Sequence, residues 1–338
     1  MENNLKIGRR NYTVDFLRVI FAILIVALHT SPFSEINFCL YYFICHIFSR
    51  LAVPFFAAVS GYYLFFNYSI PKACQFLKKL AIAFLFWNTI SCLVDLALGF
   101  AEGSIGQFFV NAYLLKGQHA LWYILAMIYA VALTMLVYRL KISRELLFCV
   151  TIVLLVFGVF INAYGNLVEK IPMIRWIMKQ LQTDMQRGLL FIIVPYLGMG
   201  YLLKQNEDMR RSNRCDWLRV AIFLCLYMLE VLLITVSGIH KNNTSLFMTY
   251  PLVYSLIKGA LHSDRITWRN GKIFSILSNV VYYSHSTLLY FVLGLSAYFK
   301  MNLQPTTIFC IVCIGGLGLG FVAAKIRRND SGFMQYVF

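Results

Sequence analysis

Asp15-Phe16-Leu17-Arg18-Val19-Ile20-Phe21-Ala22-Ile23-Leu24-Ile25-Val26-Ala27-Leu28-His29 is the stretch on which the fold turns. It is an apolar helix with an arginine near one end and a histidine near the other. At about 1.5 Å of rise per residue the two side chains stand roughly 16 Å apart along the axis, about half the thickness of a bilayer core. Ionisable groups at such depths are costly, so the pair reads as a functional site with one group near a surface and one deeper inside. Snorkelling of Arg18 to headgroups or pairing with Asp15 one turn earlier, and an interfacial place for His29, are the plain structural readings of the same residues.

Outward from that helix, composition sets the class. Hydrophobic residues make up 60% of the 338, charged residues 13%, and mean hydropathy is +0.71. A domain with a solvated surface does not have this balance. The net charge of +16 would suit a nucleic-acid partner only if the basic residues gathered on one folded face. They lie instead in short connections between apolar runs, as topology control requires. The nine cysteines are an odd number scattered through apolar segments, so no disulfide framework is expected and they read as small buried hydrophobes. Cys310-x-x-Cys313 falls within one such segment, and no Cys/His spacing outside the spans suggests a metal site.

Apolar runs fall at about 14–33, 39–66, 77–99, 119–138, 145–163, 187–203, 217–237, 244–261, 273–299 and 306–325. The expected fold is therefore an all-α polytopic transmembrane bundle of about ten spans, one domain over 1–338. The first run, lacking a small-x-small cleavage site, reads as an uncleaved span. Pro54 in the second run predicts a kink there, and 273–299 leaves room for a short surface helix before Tyr282. Basic residues crowd alternate connections, while every connection on the opposite side except 164–187 carries one or none. This places both termini in the cytoplasm. Segment 164–187, with Ile171, Ile174, Ile177, Met178 and Leu181 set among Lys170, Arg175 and Lys179, reads as an interfacial helix on the outer face. The glycines of Gly315-Gly316-x-Gly318-x-Gly320 lie within a span, where they serve helix packing rather than phosphate binding.

In this orientation Arg18 sits toward the cytoplasm and His29 toward the outer half, along the path of a group moved from a cytoplasmic donor to an outward acceptor. A neutral histidine suits a general base near pH 7, and arginine suits anchoring phosphate or carbonyl oxygens. Glu230, a carboxylate within the seventh run, must be protonated, paired across helices or solvated, which leaves a proton relay and a structural pair both open. His285, inside the ninth run, fits a core histidine as well as a binding residue.

The Asp15-x-x-Arg18 run with His29, followed by Val53-Pro54-Phe55-Phe56 and Ser60-Gly61-Tyr62, resembles the acyltransferase 3 family of membrane acyltransferases. His119-Ala120-Leu121-Trp122-Tyr123-Ile124-Leu125, Arg187-Gly188-Leu189 and Tyr283-Ser284-His285 extend the match along nearly the whole chain. It is closest in flavour to the membrane domain of vancomycin-resistance serine racemases and to stand-alone bacterial O-acetyltransferases. No racemase domain follows, so racemase activity is not expected. The resemblance implies an enzyme of the bacterial inner membrane that takes an acyl group, most often acetyl, from cytoplasmic acyl-coenzyme A as donor substrate, with no permanently bound cofactor. The acceptor would be a hydroxyl of a cell-envelope carbohydrate or lipid-linked glycan. It implies His29 as base or acyl carrier and Arg18 as a donor-site or structural cation. Arg50 and Arg187 match family arginines able to bond acceptor oxygens, Arg187 also being placed to pair with Asp184. Trp122 and Tyr123 match an aromatic pair that would line the acyl route or sit in the interfacial belt. Where many members carry Arg-x-x-Arg before the third span, this chain has Phe76-Leu77-Lys78-Lys79, and Lys79 supplies a point charge without the guanidinium fork. The rival class is a secondary transporter of a small polar solute or glycan, to which Glu230 and a break at Pro54 would also belong. No internal duplication of the Arg18–His29 pattern supports the inverted repeat a transporter would show. A third reading, a structural partner in an envelope assembly, would leave His29 and the arginines dispensable.

Overall fold

The computed structural model of the chain describes residues 11–100, 103–181, 183–205, 215–239, 245–263 and 271–329, together with 332 and 337. The basic cluster Lys6, Arg9 and Arg10 lies outside them. Nine helices among the described residues are long and apolar enough to cross a membrane. They are α1 (Tyr12–Thr30), α2 (Phe38–Phe65), α3 (Ile70–Leu98), α5 (His119–Arg139), α6 (Arg144–Asn162), α8 (Asp184–Gln205), α9 (Cys215–Val236), α11 (Lys272–Tyr298) and α12 (Pro305–Asn329). Shorter segments are α4 (Ile105–Leu115), α7 (Pro172–Gln180) and α10 (Thr249–Leu261). The protein is a polytopic helical membrane bundle. The tenth expected span, 244–261, is the short one: α10 has 13 residues, roughly 20 Å of helix, and is entered through an irregular segment at 245–248.

Lateral position follows from which faces are spent on other helices. The windows of α6 and α9 are each only 17% buried and that of α12 28%; their apolar residues face outward, where lipid is as good a solvent as another helix. The second span is 61% buried and packs closely on α8. That contact is set by glycine: a Cβ on Gly61 would lie 2.4 Å from the Leu197 carbonyl oxygen, and one on Gly200 would lie 2.3 Å from the Tyr62 amide nitrogen. Two backbones this close admit no side chain between them. Helix α11 packs against both α1 and α12, with Gly320 of α12 directly against Leu277.

Asn11 fixes the start of α1 and the end of α10 together. Its Oδ1 accepts from the Val14 amide at 3.0 Å, and its Nδ2 donates to the Ala260 and Leu261 carbonyls at 3.1 and 3.0 Å. One side chain thus satisfies orphan groups of two helix ends.

Several expectations need correction. The irregularity in α2 lies before Pro54: residues Tyr42–Ile47 form a π-helix and Phe48–Leu51 a 3-10 turn, and the regular helix resumes at Ala52. Pro54 then occupies the first turn, where its missing N–H removes no α-helical bond. Helix α3 starts at Ile70, capped by Ser69 with proline in its first turn, not at 77, so Lys72, Lys78 and Lys79 ride on it. Helix α11 is continuous from Lys272, with no separate surface helix before Tyr282. The segment 172–180 is helical as expected, but Ile174 is buried with Ile161 and Phe191, and Met178 and Leu181 pack on the same cluster. The apolar side of α7 is therefore spent on the protein, while Met173 and Trp176 point outward.

Candidate functional site

Helix α1 ends one residue after Thr30, where Ser31 turns into the left-handed region at φ 53°. His29 therefore stands in the last turn, where its ring is exposed and forms no hydrogen bond with any described residue. It lines a cavity of ≈ 290 Å³ whose wall includes Ser49, Arg50, Trp122, Asn162, Asp184, Arg187 and Tyr282. That volume is at the low end for small-molecule sites, room for a sugar-sized group but not for a whole coenzyme.

Part of the wall is delivered by local irregularities. The π-to-3-10 transition in α2 presents Ser49 and Arg50. Helix α8 opens with a capping box in which Thr183 accepts from the Gln186 amide at 3.2 Å and Gln186 Oε1 accepts from the Thr183 amide. The turn this fixes carries Asp184 and Arg187, paired at 2.6 Å, and runs into a π-segment at Leu189–Ile193. Wide turns of this kind recur at functional sites. Gly188 makes room for Trp122: a Cβ there would fall 2.2 Å from the indole Cζ3. This accounts for glycine in the Arg187-Gly188-Leu189 run.

Behind His29 lies His285, fully buried on α11, with ring centroids 5.3 Å apart. Its Nδ1 is 2.6 Å from the Tyr282 carbonyl oxygen. A carbonyl only accepts, so Nδ1 carries the proton, and Nε2 is left as a lone pair that is buried and without a partner. Tyr282 donates to the Ala120 carbonyl at 2.9 Å, which ties the α11 side of the cavity to the start of α5.

A third imidazole is that of His119 at the start of α5, which sits in a left-handed backbone conformation at φ 49°. Its Nε2 is 2.9 Å from the carboxylate of Asp95, which also accepts from the Gln118 amide group. Its ring stacks on Tyr290 at 3.6 Å between centroids. Asn88 holds the approach, accepting from the Gln118 backbone at 2.8 Å and donating to the Ala112 carbonyl at 3.2 Å. This His–Asp pair is absent from the residues expected from sequence. The signal was available, since Asp95 is a carboxylate within an apolar run, the same criterion that drew attention to Glu230.

The expected residues divide clearly. His29, Arg50, Trp122 and Arg187 share the cavity wall, and His285 stands directly behind it. Arg18 does not line it. Its Nη1 is 3.3 Å from Asp15 and its Nη2 donates to Asn279 on α11 at 2.7 Å, so it clamps two helices some 16 Å below His29 along α1. Tyr123 does not line the cavity either: its ring is buried, with centroids 6.5 Å from Phe56 and 5.5 Å from Tyr282, in one aromatic cluster with them. Lys79 is exposed on α3 and away from the cavity.

Glu230 does not line the cavity, and its contacts are those of a structural anchor. It accepts from Tyr164 at 2.8 Å and from the backbone amides of Phe247 and Met248 at 2.9 and 2.8 Å. The two amides immediately precede α10, so the carboxylate caps that helix and staples it to α9 and to the end of α6. The sequence left a proton relay and a structural pair both open; the partners found are Tyr164 and two backbone amides, and backbone partners are not displayed by a sequence pattern.

A bundle of membrane-length helices with a small cavity of mixed polar and apolar lining, where His29 stands with Arg50 and Arg187, defines a polytopic membrane protein with a candidate site at the end of its first helix. The chain belongs to the acyltransferase 3 family: residues 11–325 match the Acyltransferase domain. Among curated proteins it is 24% identical over 256 residues to an amino-acid racemase of Enterococcus faecalis, covering 74% of this chain and 35% of that protein. It is 24% identical over 352 residues to a serine/alanine racemase of Enterococcus gallinarum, covering 96% of this chain and 47% of that protein. The chain thus spans half or less of the length of these relatives. No solved structure gives a significant match.

Proposed function

We propose that the protein transfers an acyl group, acetyl in the simplest case, from acyl-coenzyme A on the cytoplasmic side to a hydroxyl of a cell-envelope carbohydrate or lipid-linked glycan. The observation that carries this reading is the His29 ring, without a hydrogen bond to any described residue, on the wall of a cavity that it shares with Arg50 and Arg187, in a chain whose family is that of membrane acyltransferases. The basic residues of alternate connections support a reading in which both termini are cytoplasmic, the cavity opens on the outer half and Arg18 lies on the donor side.

In the reaction the acceptor oxygen attacks the thioester carbonyl as His29 takes its proton. The carbon–sulfur bond then breaks, and the thiolate leaves and is protonated. The lone pair of His285 Nε2, aimed at no other group, suits an acceptor that orients the His29 ring. Tyr282, on the cavity wall and bonded to Ala120, ties the α11 side of the cavity to the start of α5. Arg18 acts as a positioning residue, holding α1 against α11 through Asn279.

The test uses sealed membrane vesicles of both orientations supplied with radiolabelled acetyl-coenzyme A. Label should enter the glycan or lipid fraction when donor meets the cytoplasmic face and not when it meets the other. Equal labelling from both faces, or accumulation of an unmodified solute with no labelling at all, rejects transfer across the membrane in favour of the transporter reading.

A further inference from the structure

Three arginines in or beside the helices answer to an aspartate one turn earlier. Arg18 pairs with Asp15 at 3.3 Å, Arg187 with Asp184 at 2.6 Å and Arg219 with Asp216 at 3.5 Å. Arg50 breaks the pattern. Position 47 is isoleucine, and no described carboxylate lies within ion-pair distance of its guanidinium. Its Nε is enclosed and unpartnered, so the side chain has not snorkelled out to water or headgroups. Three ionisable groups near it, Tyr227, Cys45 and Tyr41, are neutral at pH 7, and each already has another partner. Tyr227 donates to the Ile47 carbonyl at 3.1 Å, Cys45 to the Ala27 carbonyl at 3.2 Å, and the Tyr41 hydroxyl is 2.9 Å from His46 Nε2.

A half-buried guanidinium in a membrane bundle without a counter-ion is expensive, and the fold builds a π-to-3-10 transition that sets it on the cavity wall. The other charges on that wall cancel, since Asp184 takes up Arg187. With His29 neutral the lining carries one uncompensated positive charge. A guanidinium offers paired donors that match a carboxylate or phosphate edge.

We propose that Arg50 is an anion site and that the acceptor is an anionic molecule, bearing a phosphate or carboxylate that docks on Arg50 while its hydroxyl meets His29. The acceptor role rests on the transferase reading; the anion site does not, and the experiment uses no donor turnover, so the two fail separately. The full chain, purified in uncharged detergent, is heated in inorganic phosphate, glycerol 1-phosphate or lactate. Chloride at matched ionic strength and methyl glucoside serve as the reference anion and the neutral sugar. Phosphate or lactate should raise the unfolding midpoint by about 3 °C over chloride at roughly tenfold excess over Kd, the more effective of the two naming the acceptor's anion. Arg50→Gln should lose the rise, Arg50→Lys should keep part of it, and Arg219→Gln should keep all of it. Should Arg50→Gln not fold, phenylglyoxal modification of the wild type replaces it, and phosphate should slow labelling of Arg50 at least fivefold relative to Arg219. An equal rise in Arg50→Gln, no rise over chloride in wild type, or no protection of Arg50 overturns the anion site. A rise given by coenzyme A alone, with none from the small anions, places donor phosphates there and overturns the anionic acceptor.

Discussion

Replacing Glu230 by Gln separates an anchor from a proton relay. The carboxylate accepts three hydrogen bonds, at 2.8, 2.9 and 2.8 Å, with its Oε1 shared by Tyr164 and the Phe247 amide and its Oε2 taken by the Met248 amide. Gln keeps one acceptor oxygen and turns an NH₂ toward at least one of those donors, so one or two charge-assisted bonds disappear. Each is worth about 1.5–3 kcal/mol, and a buried donor left unpaired costs about 1–3 kcal/mol. The expected loss is about 2–4 kcal/mol, concentrated at the junction of α9 with the start of α10. Midpoints of thermal unfolding in detergent, and hydrogen exchange of peptides covering 245–252, would register it. Acetyl transfer per folded molecule should remain within about twofold of wild type, because Glu230 does not line the cavity. A variant of unchanged stability and abolished activity would refute the anchor and return Glu230 to the proton path that a transporter needs.

Other outcomes follow from the same geometry. Gly188→Ala puts a methyl 2.2 Å from the Trp122 ring; an overpacking cost of about 1–3 kcal/mol and a fall in transfer are expected, with partial recovery in the double variant carrying Trp122→Phe, and no recovery would mean the contact does not set the cavity. Asp95→Asn removes the charge that His119 and Gln118 share, so transfer should drop about tenfold, read as a change in kcat with little change in acceptor KM; a pure KM effect would assign the pair to binding. Glu35, outside the spans, has its carboxyl held below the usual range by hydrogen bonds from Thr306, whose amide donates at 3.0 Å. A lowered folded-state pKa means that its contribution is present above the ordinary carboxylate range and is lost as pH falls through the lowered value. The contact between the 31–37 loop and the start of α12 should therefore loosen in acid, seen as faster exchange around Thr306, and Glu35→Gln should remove that pH dependence.

The chain's hydrophobic runs display the spans because lipid-facing and buried helices alike must be apolar, and the Arg18–His29 spacing is visible because both lie on one helix. Pairings between segments are another matter. His119 and Asp95 are 24 residues apart, and only the docking of the 105–118 segment on α3 through Asn88 brings them together. Pro54 is a strong local signal that proved silent, because the chain bends in the preceding π-turn and leaves the proline where its missing N–H costs nothing. Lys79 was aligned by position alone, and nothing in a helix-face argument says how far its side chain lies from a cavity built by six other helices. The lack of a carboxylate for Arg50 was half legible: Ile47 excludes the local partner, but only packing excludes the distant ones.

The most direct measurement is transfer of label from radiolabelled acetyl-coenzyme A in membranes from cells expressing wild type or His29→Ala at equal protein abundance. Labelling of an envelope glycan or lipid by wild type, reduced by at least about a hundredfold in His29→Ala, is the predicted result. Undiminished labelling in His29→Ala would contradict the account.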